Sequence, residues 1–201
     1  MIKLDFEIKI LLITFAISVI CGIITIPILK KLKIGQIERD DGPASHLKKQ
    51  GTPTMGGIIM IVAIIIATVG VCIFFSVTNN QELIKRLVPL LIITIAFGMI
   101  GFIDDFKKLV LKNTDGLKPK YKMFGLLIIA TIFTVYLTNV MHIGTDLIIP
   151  FAKTSITLPI WLYIPFTIFV MLGTTNAINL TDGIDGLSTS VTTIILTCLT
   201  V

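Results

Sequence analysis

Only 14% of this 201-residue chain is charged, so the places where its acids and lysines gather carry information. Asp104 and Asp105 stand side by side directly after the 17 uncharged residues Leu87 to Ile103. Carboxylates near a hydrocarbon boundary are costly unless something binds them, and a divalent cation or a lysine is the natural partner. Mg²⁺ takes one or two carboxylates and completes its octahedron with water and phosphate oxygens, which suits a pyrophosphate-handling site. A helix-end acidic pair neutralised by Lys107 and Lys108 accounts for the same residues.

A second acidic group is Asn179-Leu180-Thr181-Asp182-Gly183-Ile184-Asp185-Gly186, whose own loop contains no basic residue to neutralise it. In a helix Asn179, Asp182 and Asp185 fall at i, i+3 and i+6 and drift slowly around one face, so one ligand can meet all three. Gly183 and Gly186 weaken the helix and let a ligand approach the backbone. The third cluster is the loop Asp41 to Gly57, which contains Gly-Pro-Ala-Ser-His and Gly-Thr-Pro-Thr-Met-Gly-Gly and the basic residues Lys48 and Lys49. Its Gly and Pro residues favour tight turns with exposed amides beside Lys49 and Thr54, a setting for an anionic, phosphate-bearing ligand. A basic membrane-flanking loop with a Gly/Pro helix entry fits as well.

The elements that must position these clusters are membrane helices. The chain is 54% hydrophobic with a mean hydropathy of +0.97, more apolar sequence than a water-soluble core of this size requires. Uncharged stretches predict spans at about 10–29, 56–77, 87–103, 123–141 and 158–172, and a sixth at 187–201. The expected fold is an all-α polytopic membrane protein forming a single transmembrane domain over 1–201. Disorder, a disulfide-knotted secreted domain and a nucleic-acid-binding module are excluded as main readings. The sixth run has 15 residues, too short for a core of roughly 30 Å at about 1.5 Å per residue. It is therefore expected to be a truncated helix of a longer protein, with a re-entrant helix as the alternative.

Orientation follows from the 17 Lys and Arg residues, of which 12 fall in the first, third and fifth loops and 5 on the other side. The positive-inside rule then places those three loops in the cytoplasm and the N-terminus outside, so all three polar clusters share the cytoplasmic face. Cys21, Cys72 and Cys198 lie singly in different spans and read as small apolar fillers. Between the fourth and fifth spans, Leu147 to Phe151 and Ser155 to Leu158 alternate loosely and predict a small hairpin at the outer membrane surface, with Trp161 and Tyr163 anchoring the next helix.

As a set, the three clusters resemble the polyprenyl-phosphate N-acetylhexosamine-1-phosphate transferases, and the Asp41–Gly57 loop resembles the muramoyl branch of that family. The resemblance implies an Mg²⁺-dependent enzyme of the bacterial cytoplasmic membrane, acting at its cytoplasmic face in peptidoglycan synthesis. It transfers phospho-MurNAc-pentapeptide from UDP-MurNAc-pentapeptide to undecaprenyl phosphate, with lipid I and UMP as products. Asp104 and Asp105 match the family's Asp-Asp pair, tied to metal, pyrophosphate and the lipid phosphate nucleophile. Asp185 with Gly183 and Ile184 would lie by the uridine, and Asp182 by the phosphates or sugar as a further catalytic acid; Asn179 belongs to the same motif. Lys49 and Thr54 match nucleotide-side positions, and Lys108 and Lys122 match basic positions of the third loop.

The family has about ten spans, and its third metal-binding Asp, a uracil-stacking aromatic and a His-rich loop lie beyond the sixth. The 201 residues alone are accordingly expected to bind weakly and not to turn over. A homodimer is left open. Two alternatives stand beside this reading: a sister enzyme that uses UDP-GlcNAc, and a cation-coupled transporter. Transporters place their acids near the bilayer midplane on broken helices, whereas these acids all fall near one face. An assembly scaffold is a third.

Overall fold

A computed structural model describes residues 2–31, 55–111, 116–149, 154–182 and 186–200. In chain order the elements are helices α1 (Ile2–Lys31), α2 (Gly57–Val77), α3 (Gln81–Leu111) and α4 (Pro119–Asn139), strands β1 (Asp146–Ile149) and β2 (Thr154–Thr157), and helices α5 (Ile160–Thr181) and α6 (Leu187–Thr200). Five of the helices are long and apolar enough to cross a membrane, and the sixth is a shorter apolar helix. The chain is thus a mainly helical, multi-pass membrane protein. Its many outward-facing Leu, Ile, Val and Phe side chains are what lipid-facing helices present.

The chain divides into two compact units, Met1–Lys122 and Met123–Val201. In the first, α2 packs against both α1 and α3. The start of α1 is fixed to the end of α2 by an aromatic cluster: Phe6 stacks on Phe74 at 5.0 Å between ring centroids and lies 5.7 Å from Phe75. A three-residue connection, Thr78 to Asn80, then reverses the chain into α3. Asn79 takes a left-handed φ of 58° there, a conformation that asparagine tolerates better than most residues. Asn79→Gly should leave stability near wild type and Asn79→Val should cost about 1–2 kcal/mol, as read by thermal unfolding in detergent. These reversals bring the C-terminus of α1, the N-terminus of α2 and the C-terminus of α3 to the same end of the unit.

Close approach of α2 and α3 depends on Gly98, where a Cβ would run into Cδ1 of Ile61. Membrane helices use small residues in this way because packing, rather than the hydrophobic effect, holds them together. The tip of Ile61 can swing aside for one methyl group, so Gly98→Ala should be mild, while Gly98→Val should cost about 1–3 kcal/mol through overpacking. The same unfolding measurement checks both.

In the second unit, Leu126, Ala130, Thr134 and Thr138 form a buried stripe at four-residue spacing on α4. Thr134 and Thr138 turn their hydroxyls back to the carbonyls of Ala130 and Thr134, so neither hydroxyl is left unpaired. His142, with φ 48°, ends the turn that follows α4, where Ile143 N–H returns to the Leu137 carbonyl. The predicted hairpin is present: β1 and β2 are antiparallel, with Asp146 opposite Thr157 and Ile149 opposite Thr154. The cysteines carry no disulfide.

Four helices outrun the predicted spans. α1 begins at Ile2 instead of residue 10, α3 begins at Gln81 and continues from Ile103 to Leu111, α4 begins at Pro119 instead of 123, and α5 continues from Leu172 to Thr181. Helical hydrogen bonding does not stop where the sequence turns polar; on α3 the pairs Asp104–Lys108 and Asp105–Lys108, at i, i+4 and i, i+3, support the extra turns. Asp104 and Asp105 therefore stand about two turns inside a helix, not at its end.

Candidate functional site

The Asp-Asp pair occupies the shared end of the first unit, and its two members have different surroundings. Asp104 is buried. One carboxylate oxygen, Oδ1, accepts the backbone N–H of Leu117 at 2.8 Å. The other, Oδ2, accepts from Lys108 Nζ at 3.0 Å and lies 3.5 Å from Lys122 Nζ. Asp105 lies on the same helix with its side chain 42% exposed, against 10% for Asp104. Among the described residues its carboxylate meets only Lys108 Nζ, at 3.5 Å.

Three elements set this geometry. α3 carries both acids and Lys108, the first turn of α4 carries Lys122, and the turn between them brings up Gly116 and Leu117. Gly116 has a φ of +58°, and a Cβ there would sit 2.5 Å from Asp104 Oδ1 and 2.6 Å from Lys108 Cε. Only glycine meets both demands, a left-handed backbone and contact with an ion pair. Lys108 and Lys122 are thus not loop residues, as the sequence pattern implied, but helical residues that both reach Asp104. Gly116 and the Leu117 amide were not anticipated as parts of the site. The Asp115-Gly116 dipeptide, a turn signal, was the available clue.

At the entry to α2 the expected glycine-built turn is made differently. Gly56 is helical, with φ −56° and ψ −23°, and the left-handed residue is the buried Met55, with φ 67°. Met55 and Gly56 carbonyls accept the N–H groups of Ile58 and Ile59 and so start the helix. Lys49 and Thr54, expected on this loop, lie outside the described residues, as do Gly183, Ile184, Asp185 and Asp115.

In the second unit, Asn179 sits in the last turn of α5 and Asp182 is its C-cap, with its N–H on the Ile178 carbonyl. The described helix runs to Thr181, so of the three polar residues expected on one face it carries Asn179, with Asp182 at its cap. Asp182 is exposed and Asn176 is held by its Nδ2 donating to the Leu172 carbonyl at 2.8 Å.

A hard cation such as Mg²⁺ needs oxygen donors that are accessible and not already committed. Asp105 meets that requirement. Both oxygens of Asp104 are engaged, and no group of three or more His, Cys, Asp or Glu residues able to hold a metal occurs among the described residues. The residues present therefore fit a cation that arrives with most of its ligands supplied by water or a phosphate-bearing substrate, with Asp105 as the protein's carboxylate. Lys108 and Lys122 would face the same anion.

Multi-pass helices that carry a buried acid–lysine cluster, at Asp104, Lys108 and Lys122, define a membrane protein with charged groups gathered beyond an apolar span. Residues 87–201 match the family model described as glycosyl transferase family 4, and the chain belongs to that family. Relatives along nearly the whole chain carry the name phospho-N-acetylmuramoyl-pentapeptide-transferase. The protein of that name from Acetivibrio thermocellus is 44% identical over 191 residues, covering 94% of this chain and 54% of the relative. Those from Clostridium novyi and Staphylococcus carnosus are 44% and 43% identical, covering 92% and 91% of this chain and 54% and 56% of theirs. The chain spans about half the length of the relatives it matches.

Proposed function

We propose that this protein transfers phospho-MurNAc-pentapeptide from UDP-MurNAc-pentapeptide to undecaprenyl phosphate in the bacterial cytoplasmic membrane. The single observation that best supports the reading is the identity of 44% over 191 residues to a relative named for that transfer. The Asp105–Lys108–Lys122 arrangement is consistent with it, because phosphoryl transfer asks a protein mainly for positioning and charge neutralisation. An oxygen of the lipid phosphate bonds to the phosphorus that bears the sugar. The bond from that phosphorus to the uridine-side phosphate breaks, and UMP leaves with the electron pair. Lys108 and Lys122 would bind and orient the phosphates, and Asp105 would hold Mg²⁺, which supplies neutralisation of charge building on the phosphate oxygens. Asn179, Asp182 and Asp185 with Gly183 and Ile184, and Lys49 and Thr54 on the first loop, are proposed to bind the nucleotide sugar at the cytoplasmic face.

The test is UMP release by the full-length protein in nanodiscs containing undecaprenyl phosphate, with UDP-MurNAc-pentapeptide or UDP-GlcNAc as donor. Transfer is expected from the muramoyl donor alone and is expected to stop on chelation of Mg²⁺ with EDTA. Transfer from UDP-GlcNAc alone would place the protein in the sister branch of the family. Refusal of both donors by folded protein would overturn the transferase reading.

A further inference from the structure

We infer that the two adjacent aspartates have separate duties: Asp104 is a positioning residue that latches the Gly116–Leu117 turn onto α3 and gathers Lys108 and Lys122, leaving Asp105 as the carboxylate of the pair that meets ligand. The inference deepens the proposed phosphoryl transfer and rests on that reading for the identity of the ligand, but the latch itself rests on geometry alone.

Four observations converge on Asp104. Its carboxylate is buried, where a charge must be matched to persist. Its Oδ1 is occupied by an amide thirteen residues away, and its Oδ2 by one lysine from its own helix and a second from the next. A Cβ at Gly116 would sit 2.5 Å from Oδ1, and its φ of +58° favours glycine, so the turn is shaped around this carboxylate rather than merely near it. A cation at Asp104 would have to displace the Leu117 N–H or an ammonium group. A cation at Asp105 displaces, among the described residues, only the long 3.5 Å contact with Lys108.

The arrangement also solves a problem of charge. Two ammonium groups brought together for an incoming phosphate repel each other, and a buried carboxylate between them offsets that repulsion before the ligand arrives. With Asp104 in place, Lys108 and Lys122 are held within reach of one point and a phosphate meets both without reordering two long side chains. Asp104 thereby tunes the affinity for phosphate through the lysines, without touching the ligand.

The experiment compares Asp104→Asn, Asp105→Asn and Gly116→Ala in the full-length protein in nanodiscs, with three readouts. Mn²⁺ binding by electron paramagnetic resonance, using the metal alone, should weaken at least tenfold in Asp105→Asn and less than threefold in the other two. Hydrogen exchange at the Leu117 amide, resolved by overlapping peptides, should accelerate at least tenfold in Gly116→Ala and stay at the wild-type rate in Asp105→Asn. Inhibition of transfer by inorganic pyrophosphate should weaken about tenfold in Asp104→Asn, because its lysines are no longer gathered; a role confined to holding the fold would not move that constant when it is measured well below the unfolding transition of the variant.

Equal loss of Mn²⁺ affinity in the two aspartate variants would overturn the division of labour and make Asp104 a ligand. Wild-type exchange at Leu117 in Gly116→Ala would overturn the latch. If wild-type protein transfers from neither donor, the functional reading fails, while the Mn²⁺ and exchange measurements still decide whether the aspartates divide as inferred.

Discussion

Asp105→Asn is expected to lower the rate of the proposed transfer to undecaprenyl phosphate about 10²–10³-fold, the range seen when one preorganised electrostatic group is removed from a site where charge builds. The loss should appear in kcat and should not be recovered by saturating donor, since the charge is wanted most in the transition state. The fold should survive, because Asp105 is 42% exposed and its one described partner is a 3.5 Å contact with Lys108. A change of this kind at a surface position is within about 0.5 kcal/mol of neutral. Initial rates of UMP release, taken beside a thermal unfolding curve in the same nanodiscs, make the check. A fall in rate of less than tenfold, with the curve unchanged, would move the important charge to another residue.

Asp104→Ala is expected to do the opposite and damage the structure first. It leaves the Leu117 N–H without its acceptor and takes the counter-charge from Lys108 and Lys122 together. Removing one partner from a buried ion pair costs about 3–5 kcal/mol, and the low end applies because the Lys108 side chain is 40% exposed and water can reach it. Asp104→Asn keeps an oxygen for the Leu117 amide and should lose less, about 1.5–3 kcal/mol for the charged hydrogen bonds it forfeits. Thermal unfolding in detergent ranks the two variants. Wild-type stability in Asp104→Ala would mean that the buried carboxylate holds nothing.

The membrane architecture was legible because lipid selects long uncharged runs, and the five spans and the shorter sixth helix were placed from those runs alone. Their ends were not. Lys3, Asp5, Glu7 and Lys9 hid the first turns of α1, and the polar string Thr174-Thr175-Asn176 hid the last turns of α5, although Thr175 and Asn176 simply return hydrogen bonds to carbonyls one turn back. The acidic pair was found from the sequence, yet its two members were indistinguishable there. What separates them is contact with Leu117 and Lys122, thirteen and eighteen residues on from Asp104, and no local pattern encodes a contact of that range. Met55 makes the same point about backbone: Gly56 and Gly57 drew attention as the flexible positions, whereas the left-handed residue is the methionine before them.

The length of α3 has a consequence for where two unlike reactants can meet. Its apolar run ends at Ile103, but the helix continues eight residues, to Leu111, a further rise of about 12 Å. The headgroup layer on each side of a bilayer is about 5–7 Å deep. The first residues beyond the apolar run are Asp104 and Asp105, so a helix lying along the bilayer normal would hold them at the depth of lipid phosphates and carry its end beyond the headgroups. A polyprenyl phosphate would then need no lifting out of its leaflet, since its anionic end already floats at the right level. The water-soluble nucleotide of the proposed reaction would then make the journey, descending along the end of α3 to a meeting height set by the helix itself.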